Sequence, residues 1–168
     1  MKRKKLWILS FFLLTSALLS LPSCRASADY ADDLSCAQLM DAVVEKIPVD
    51  FGYESFGDDH LRYYFEDTSL PDDVCLRYSV LSEDINEIGI FHTPSADARE
   101  EIEDLAEEYL EELREDKRAF IASYAAGELP KLDRAEIRVF GNYTVYAILN
   151  DEDRALAFET IAAMLTKK

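Results

Sequence analysis

Metal-binding and turn-forming residue types are scarce in this sequence. Its 168 residues include two His, three Cys, five Gly and five Pro. No Cys-x-x-Cys motif and no cluster of His with Cys is present, which argues against a zinc site. Acidic residues are common, but no loop alternates Asp or Asn around a central Gly as a calcium-binding loop does. We therefore expect no metal ion and no cofactor.

Basic residues are also few once the first five positions are set aside. Four of the 18 Lys and Arg lie at positions 2 to 5, which leaves 14 against 34 Asp and Glu in the rest of the chain. A surface this acidic repels nucleic acid and anionic lipid. The composition predicts no nucleic-acid partner, and a charged partner should be basic or a cation.

The N-terminus has the residue order of a secretion signal. The basic cluster Lys2–Lys5 precedes an apolar run from Leu6 to Leu21 that only Ser and Thr interrupt. This run of sixteen residues is shorter than the roughly 20 that a helix needs to span a bilayer, and Pro22 ends it. We expect a signal peptide and a folded part that works outside the cytoplasm.

Two processing sites compete behind this signal. Residues Leu21–Cys24 (LPSC) look like a lipobox, although Pro22 is unusual there, and Ala26–Ala28 (ASA) fits ordinary signal peptidase. The first predicts a chain anchored through a lipid on Cys24 to the outer face of the cell membrane, and the second predicts free secretion after Ala28. The expected organisation is a signal peptide at 1–23, or 1–28 for the second site, a flexible tether at 24–33 and one domain at 34–168.

Cys36 and Cys75 remain after either cleavage. A disulfide between them would close a loop of about 40 residues and add roughly 3 to 4 kcal/mol of stability through lost chain entropy. Two small buried thiols fit the same sequence. Both interpretations stay open at this point.

The periodicity of apolar residues predicts an antiparallel sheet with helices. Ser35 and Gln38 form a capping box before a first helix that Pro48 stops. A first pair of strands is predicted at about 74–80 and 88–90, followed by a helix at about 95–124. A second pair is predicted at 137–140 and 143–146, followed by a helix at about 151–165. The apolar face of the long helix includes Phe120 and Tyr124. The order strand-strand-helix-strand-strand-helix, behind an N-terminal helix, predicts an α+β two-layer sandwich with the helices on one face.

One face of the second hairpin is a candidate binding surface together with the aromatic segment 51–65. A two-residue turn at Gly141 and Asn142 puts Phe140 and Tyr143 on an apolar face that needs cover from the chain itself or from a partner. The residues of this candidate surface are Phe51, Tyr53, Phe56, Tyr63, Tyr64, Phe140 and Tyr143.

Catalysis has little support in the sequence, and we expect no catalytic residue. The main hypothesis is a non-catalytic, monomeric module of the cell envelope that binds an envelope protein or a small ligand. His60, beside Asp58 and Asp59 and near Ser55, suggests an extracytoplasmic hydrolase as the alternative. Such short spacing is more typical of a polar loop.

Two motifs and the order of the elements carry a resemblance to a known family. Ser82–Phe91 (SEDINEIGIF) precedes the long charged helix, and Phe140–Tyr143 (FGNY) precedes the final strand and helix. Over about residues 36–165 the chain resembles the bacterial family called domain of unknown function 4358, found mainly in Gram-positive bacteria and often on predicted lipoproteins. The resemblance implies the fold and favours the lipobox at Cys24, and it implies no activity.

Overall fold

The computed structural model describes residues 30–47, 53–55, 71–81 and 83–167, with 53–55 by their backbone alone. Within these ranges, no helix is both long enough and apolar enough to cross a membrane. The helices and strands, in chain order, are α1 (Cys36–Lys46), β1 (Tyr53–Ser55), β2 (Asp73–Ser79), β3 (Glu87–His92), α2 (Ala96–Glu112), α3 (Arg118–Tyr124), α4 (Leu129–Asp133), β4 (Glu136–Phe140), β5 (Tyr143–Ile148) and α5 (Asp151–Leu165).

The five strands form one sheet in the order β1-β2-β3-β5-β4, and each neighbouring pair is antiparallel. The β4-β5 hairpin has the predicted register, with Phe140 opposite Tyr143 and Ile137 opposite Tyr146. Gly141 has a φ of 63°, the left-handed conformation that the first position of such a tight turn requires. The hairpin prediction is therefore confirmed.

Helices cover this sheet from both sides. α1 and α5 pack together over Cys75 and Val145 on one face, while α2 packs over Leu76, Phe91 and Tyr146 on the other. All six residues of β5 are buried as a result. The α+β class, the antiparallel sheet, the N-terminal helix and the order of elements are confirmed. The sheet with α1 and α5 gives the two expected layers. The prediction that the helices lie on one face is wrong, because the strands are apolar on both sides and α2 covers the second face.

Side-chain caps fix where the helices begin, as the sequence predicts. Ser35 and Gln38 form the complete capping box of α1, with each side chain accepting from the other's backbone N–H. The side chain of Ser95 accepts from Ala98 N–H at the start of α2, and Asn150 accepts from Asp153 N–H at the start of α5. These bonds satisfy backbone donors that a helix N-terminus otherwise leaves unpaired.

A π-helical turn interrupts the helix predicted at 95–124. α2 ends at Glu112, the turn runs through Leu113–Lys117, and α3 follows directly. A π turn inserts an additional residue, which rotates everything after it around the helix axis. The buried position in α3 therefore falls on Ile121, and the prediction that Phe120 and Tyr124 face the core is wrong, since both are exposed.

The N-terminal segment Tyr30–Ser35 is held against the domain. Tyr30 bridges to Thr166 beyond the end of α5, and the N–H of Ala31 donates to Leu165 O at 2.6 Å. His92 contacts Asp32 at 2.8 Å through Nε2 and Asp72 at 2.5 Å through Nδ1. The end of the predicted tether, residues 30–33, is thus part of the domain, while 24–29 lie outside the described residues.

Both cysteines of the domain are buried, and no disulfide joins them. Cys36 opens α1, where its N–H donates to Asp73 Oδ2 at 2.7 Å and its thiol to Asp73 O at 3.5 Å. Cys75 lies on β2 and belongs to the same apolar cluster. The sequence left open either a disulfide between these cysteines or two small buried thiols, and the structure has the two buried thiols. Burial raises the pKa of the Cys36 thiol, with a further contribution from Asp73.

Candidate functional site

A cleft of about 230 Å³ opens beside the end of the sheet. One wall consists of the last turn of α2, the π turn and α3, with Leu113, Lys117 and Phe120. The opposite wall is the end of β2 and the loop that leads into β3, with Ser79 and Asn86. The π turn therefore lines the cleft directly. Single π turns within α-helices are frequent at functional sites.

The carboxylate of Glu87 lines the inner end of this cleft and is bound by two tyrosines. Tyr109 OH donates to its Oε1 at 2.8 Å, and Tyr146 OH donates to the same oxygen at 2.5 Å. Burial disfavours the charged carboxylate and raises the pKa of Glu87, while the two hydroxyl bonds partly offset that rise. Glu87 is thus the first residue of β3 and joins two of the aromatic side chains of the α2-covered face.

Asp84, Lys131 and Glu128 form an ion network behind the loop wall of the cleft. Lys131 Nζ lies 3.1 Å from Asp84 Oδ1 and 2.5 Å from Glu128 Oε2, and all three side chains are largely buried. Burial of Asp84 opposes its ionisation, but hydrogen bonds from Ser79 and Lys131 outweigh this effect, and the pKa of Asp84 is lowered. α4, which carries Lys131, thereby holds the β2-β3 loop in place.

Asn86 is a buried polar residue of the cleft wall. It is 7% exposed, its Nδ2 donates to Asp84 Oδ2 at 3.0 Å, and its backbone N–H donates to Asp84 Oδ1 at 3.1 Å. Its side-chain oxygen, Oδ1, accepts no hydrogen bond from any residue that the structure describes. A buried acceptor without a partner is rare in native proteins and requires an explanation.

Exposed apolar side chains gather around the mouth of the cleft. Phe120, 58% exposed, lines the cleft, and its ring lies 4.7 Å from that of Tyr124, which is 73% exposed. Val80 and Leu81 directly follow Ser79 of the opposite wall and are exposed as well. These four are the large apolar side chains that are exposed among the described residues.

The predicted binding surface is not assembled in the described part of the chain. Phe140 and Tyr143 are buried under α1 and α5, and Tyr143 OH donates to Leu34 O at 2.6 Å. The chain itself therefore covers this face, and the interpretation of Phe140 and Tyr143 as an exposed surface is wrong. Tyr53 lies in β1. The other predicted residues lie outside the described ranges and stay predictions: Cys24, Phe51, Phe56, His60, Tyr63 and Tyr64.

The residues of the cleft were missed by sequence reasoning. The sequence places Asn86 and Glu87 only within the motif at 82–91, and it places Phe120 on the apolar face of the long helix. One usable signal was Glu87 itself, since an acid that opens an apolar strand between Ile85 and Ile88 needs a buried partner. The outward turn of Phe120 had no comparable signal, because a π turn leaves no clear mark in the apolar period.

The cleft combines apolar and aromatic walls with a few buried acceptors. Pockets that bind small molecules typically have this composition. Across the described ranges, no cluster of three or more His, Cys, Asp or Glu side chains is arranged to hold a metal ion.

Comparison with known proteins gives one family. Residues 49–149, more than half of the 168-residue chain, match the family described as a domain of unknown function (DUF4358). This segment includes all five strands, α2–α4 and the cleft, whereas α1 and α5 lie outside it. No curated protein and no solved structure matches the chain. The resemblance carried by the motifs at 82–91 and 140–143 is confirmed, and the chain belongs to the DUF4358 family.

Proposed function

We propose that this protein is an exported, membrane-anchored binding module of the bacterial cell envelope that holds a small ligand in the cleft and catalyses no reaction. The observation that carries the proposal is the cleft of about 230 Å³, whose walls combine Phe120 with the buried acceptor of Asn86. Ligand sites in proteins have volumes of about 300 to 1,000 Å³. The ligand should therefore be small, with roughly the dimensions of one amino acid or one ring with a short side chain.

Three features support binding over catalysis. Asn86 and Glu87 are fixed by hydrogen bonds to neighbouring residues, which preorganises the cleft for a ligand. Phe120 lines the cleft with more than half of its surface exposed, so its ring is available for contact with a ligand. His92, the one His of the described ranges, is held between Asp32 and Asp72 away from the cleft.

Ligand-observed NMR with a mixture of small aromatic and aliphatic fragments tests this proposal. Phe120→Ala should weaken the binding of each fragment that binds the wild type by about 3- to 10-fold, since an aromatic contact contributes about 0.5–1.5 kcal/mol. Tyr124→Ala is the control, because its ring is exposed as well but does not line the cleft. Equal weakening by both variants, or no fragment binding at all, would contradict the proposal.

Export and anchoring are supported by the basic cluster, the apolar run and the lipobox at Leu21–Cys24. Metabolic labelling with an alkyne fatty acid in the native host should modify the wild-type chain and leave Cys24→Ser unlabelled. Cys36→Ser is the control and should keep the label. A mature chain that begins at Asp29 without lipid would contradict the anchor and establish free secretion.

A further inference from the structure

We infer that the ligand of the cleft is a small organic amine, with an apolar body and one protonated nitrogen that donates hydrogen bonds to Asn86 Oδ1 and to the carboxylate of Glu87. This inference rests on the proposed function, because it names the ligand class of the same cleft. It makes Asn86 and Glu87 the residues that determine specificity.

The first argument is the unsatisfied acceptor of Asn86. The residue is about nine-tenths buried and lines the cleft, and its Nδ2 is used by Asp84. The side-chain oxygen is therefore held in place without a donor from the described residues. Leaving such a group unpaired costs about 1–3 kcal/mol, and a ligand with N–H or O–H groups would remove that cost. A ligand without a donor would not.

The second argument is the charge of the cleft. Two acids, Asp84 and Glu87, line it against one base, Lys117. Asp84 is already paired with Lys131, so Glu87 is the acid that is left for a cationic ligand. Both tyrosine hydroxyls donate to Oε1 of Glu87, and no donor of the described residues binds Oε2. The whole chain carries a formal net charge of −16, and a cleft with walls of low dielectric concentrates such a field and attracts cations.

Aromatic rings supply the third argument. Tyr78, Tyr109 and Phe120 line the same cleft. The face of an aromatic ring attracts an ammonium group within about 6 Å of its centre. A neutral alcohol with the same apolar body gains the packing against these rings but neither the cation–π attraction nor the ion pair.

The positive charge of Lys117 favours a ligand of the opposite charge, a carboxylate. It lies at the exposed end of the π turn, where water and salt screen its charge. Asn86 and Glu87 are enclosed to a greater degree, and interactions there are stronger because the local dielectric is lower. The amine is therefore favoured, and the carboxylate is the competing outcome of the test.

Isothermal titration calorimetry of the full chain in detergent distinguishes an amine ligand from a carboxylate ligand. Three probes with the same apolar part are compared. 2-Phenylethylamine, 2-phenylethanol and phenylacetate place an ammonium, a hydroxyl and a carboxylate on the same phenyl group. The amine should bind at least about 10-fold more tightly than the alcohol, a difference of 1.4 kcal/mol, and phenylacetate should bind most weakly. Equal affinities for amine and alcohol, or tightest binding of phenylacetate, would overturn the amine while leaving the cleft a binding site.

Variants assign the preference to the cleft. Glu87→Gln keeps the size of the side chain and an acceptor for both tyrosines, and it should reduce the ratio of amine to alcohol affinity at least about 5-fold. Asn86→Ala should lower the amine affinity as well. Glu101→Gln, which removes one exposed acid of α2, is the control and should change neither value. An unchanged ratio of amine to alcohol affinity in Glu87→Gln, or no binding of any probe at millimolar concentration, overturns the inference. The NMR experiment with fragments then decides separately whether the proposed function also fails.

Discussion

The ring of Tyr146 lies against the backbone of Gly89, so close that a Cβ on Gly89 would stand 2.2 Å from Tyr146 Cε1. The two residues are directly paired partners on β5 and β3. Because position 89 has no side chain, the ring can lie across β3 and place its hydroxyl on Glu87, two residues along that strand. The inner end of the cleft therefore depends on the absence of a side chain at Gly89, where the ring of Tyr146 lies.

Gly89→Ala should destabilise the protein by about 1–3 kcal/mol, because a methyl group forced into a packed core displaces its neighbours. Urea unfolding followed by circular dichroism measures this change. Gly127→Ala is the control, since a Cβ there meets no atom within 4 Å, and it should alter stability by less than about 0.5 kcal/mol. Similar effects of the two substitutions would show that the ring of Tyr146 does not occupy the space above Gly89.

Glu87 should make the protein more stable as the pH falls. Its folded-state pKa is raised above the ordinary 4.5, so between these two values the folded protein binds more protons than the unfolded one, and stability decreases as the pH rises. Relative to Glu87→Gln, the wild type should therefore gain stability when the pH is lowered toward 4.5. Urea unfolding over a pH series measures the difference, and Glu101→Gln should run parallel to the wild type. A difference between wild type and Glu87→Gln that stays constant with pH would contradict this prediction.

His92 should titrate above its ordinary pKa of 6.5 in the folded protein. Burial alone would lower the pKa of His92, but hydrogen bonds to Asp32 and Asp72 outweigh it. The protonated imidazole then stabilises the fold fully below pH 6.5, and this contribution is lost as the pH rises through the folded-state pKa. NMR titration of a His60→Gln protein, which retains one His, measures the pKa directly.

Asp32→Asn should lower the pKa of His92 and loosen the N-terminal segment, whereas Asp33→Asn, an exposed neighbouring acid, should leave both nearly unchanged. Hydrogen exchange of the Ala31 amide, which donates to Leu165 O, reports the loosening. If Asp33→Asn lowers the pKa of His92 as much as Asp32→Asn does, the raised pKa results from the overall negative charge nearby and not from the specific contact with Asp32.

Cys36 and Cys75 should resist alkylation in the folded state. Both thiols are buried, and burial raises the pKa of Cys36, so little reactive thiolate forms. In a Cys24→Ser protein, iodoacetamide should modify neither residue under native conditions and both in concentrated urea, as read by intact mass. Failure to react in urea until a reductant is added would demonstrate a disulfide and contradict the two buried thiols of the structure.

Local patterns in the sequence predicted the elements and one hairpin register. Ser35 with Gln38, Asn150 and Gly141 each act on residues a few positions away, so their consequences follow from short-range geometry. The contact between His92 and Asp32 joins residues 60 positions apart, and no local pattern announces it. The position of α2 on the second face is likewise a tertiary result, because an apolar helix face does not specify which side of a sheet it covers.

The cleft could not be predicted for the same reason. Its walls come from β2, β3, β5, α2, α3 and α4, and the outward position of Phe120 depends on the π turn at Leu113–Lys117. The contact between Tyr109 of α2 and Glu87 joins residues 22 positions apart, and no local pattern in the sequence indicates it.

Chemical-shift mapping by ¹H–¹⁵N NMR tests the central claim, a small-ligand site in the cleft, most directly. Titration with a fragment that binds the wild type should shift the side-chain amide of Asn86 and the backbone amides of Glu87, Lys117 and Phe120, and should leave α1 and α5 unaffected. Shifts confined to α1 and α5, or spread evenly over the surface, would contradict the account.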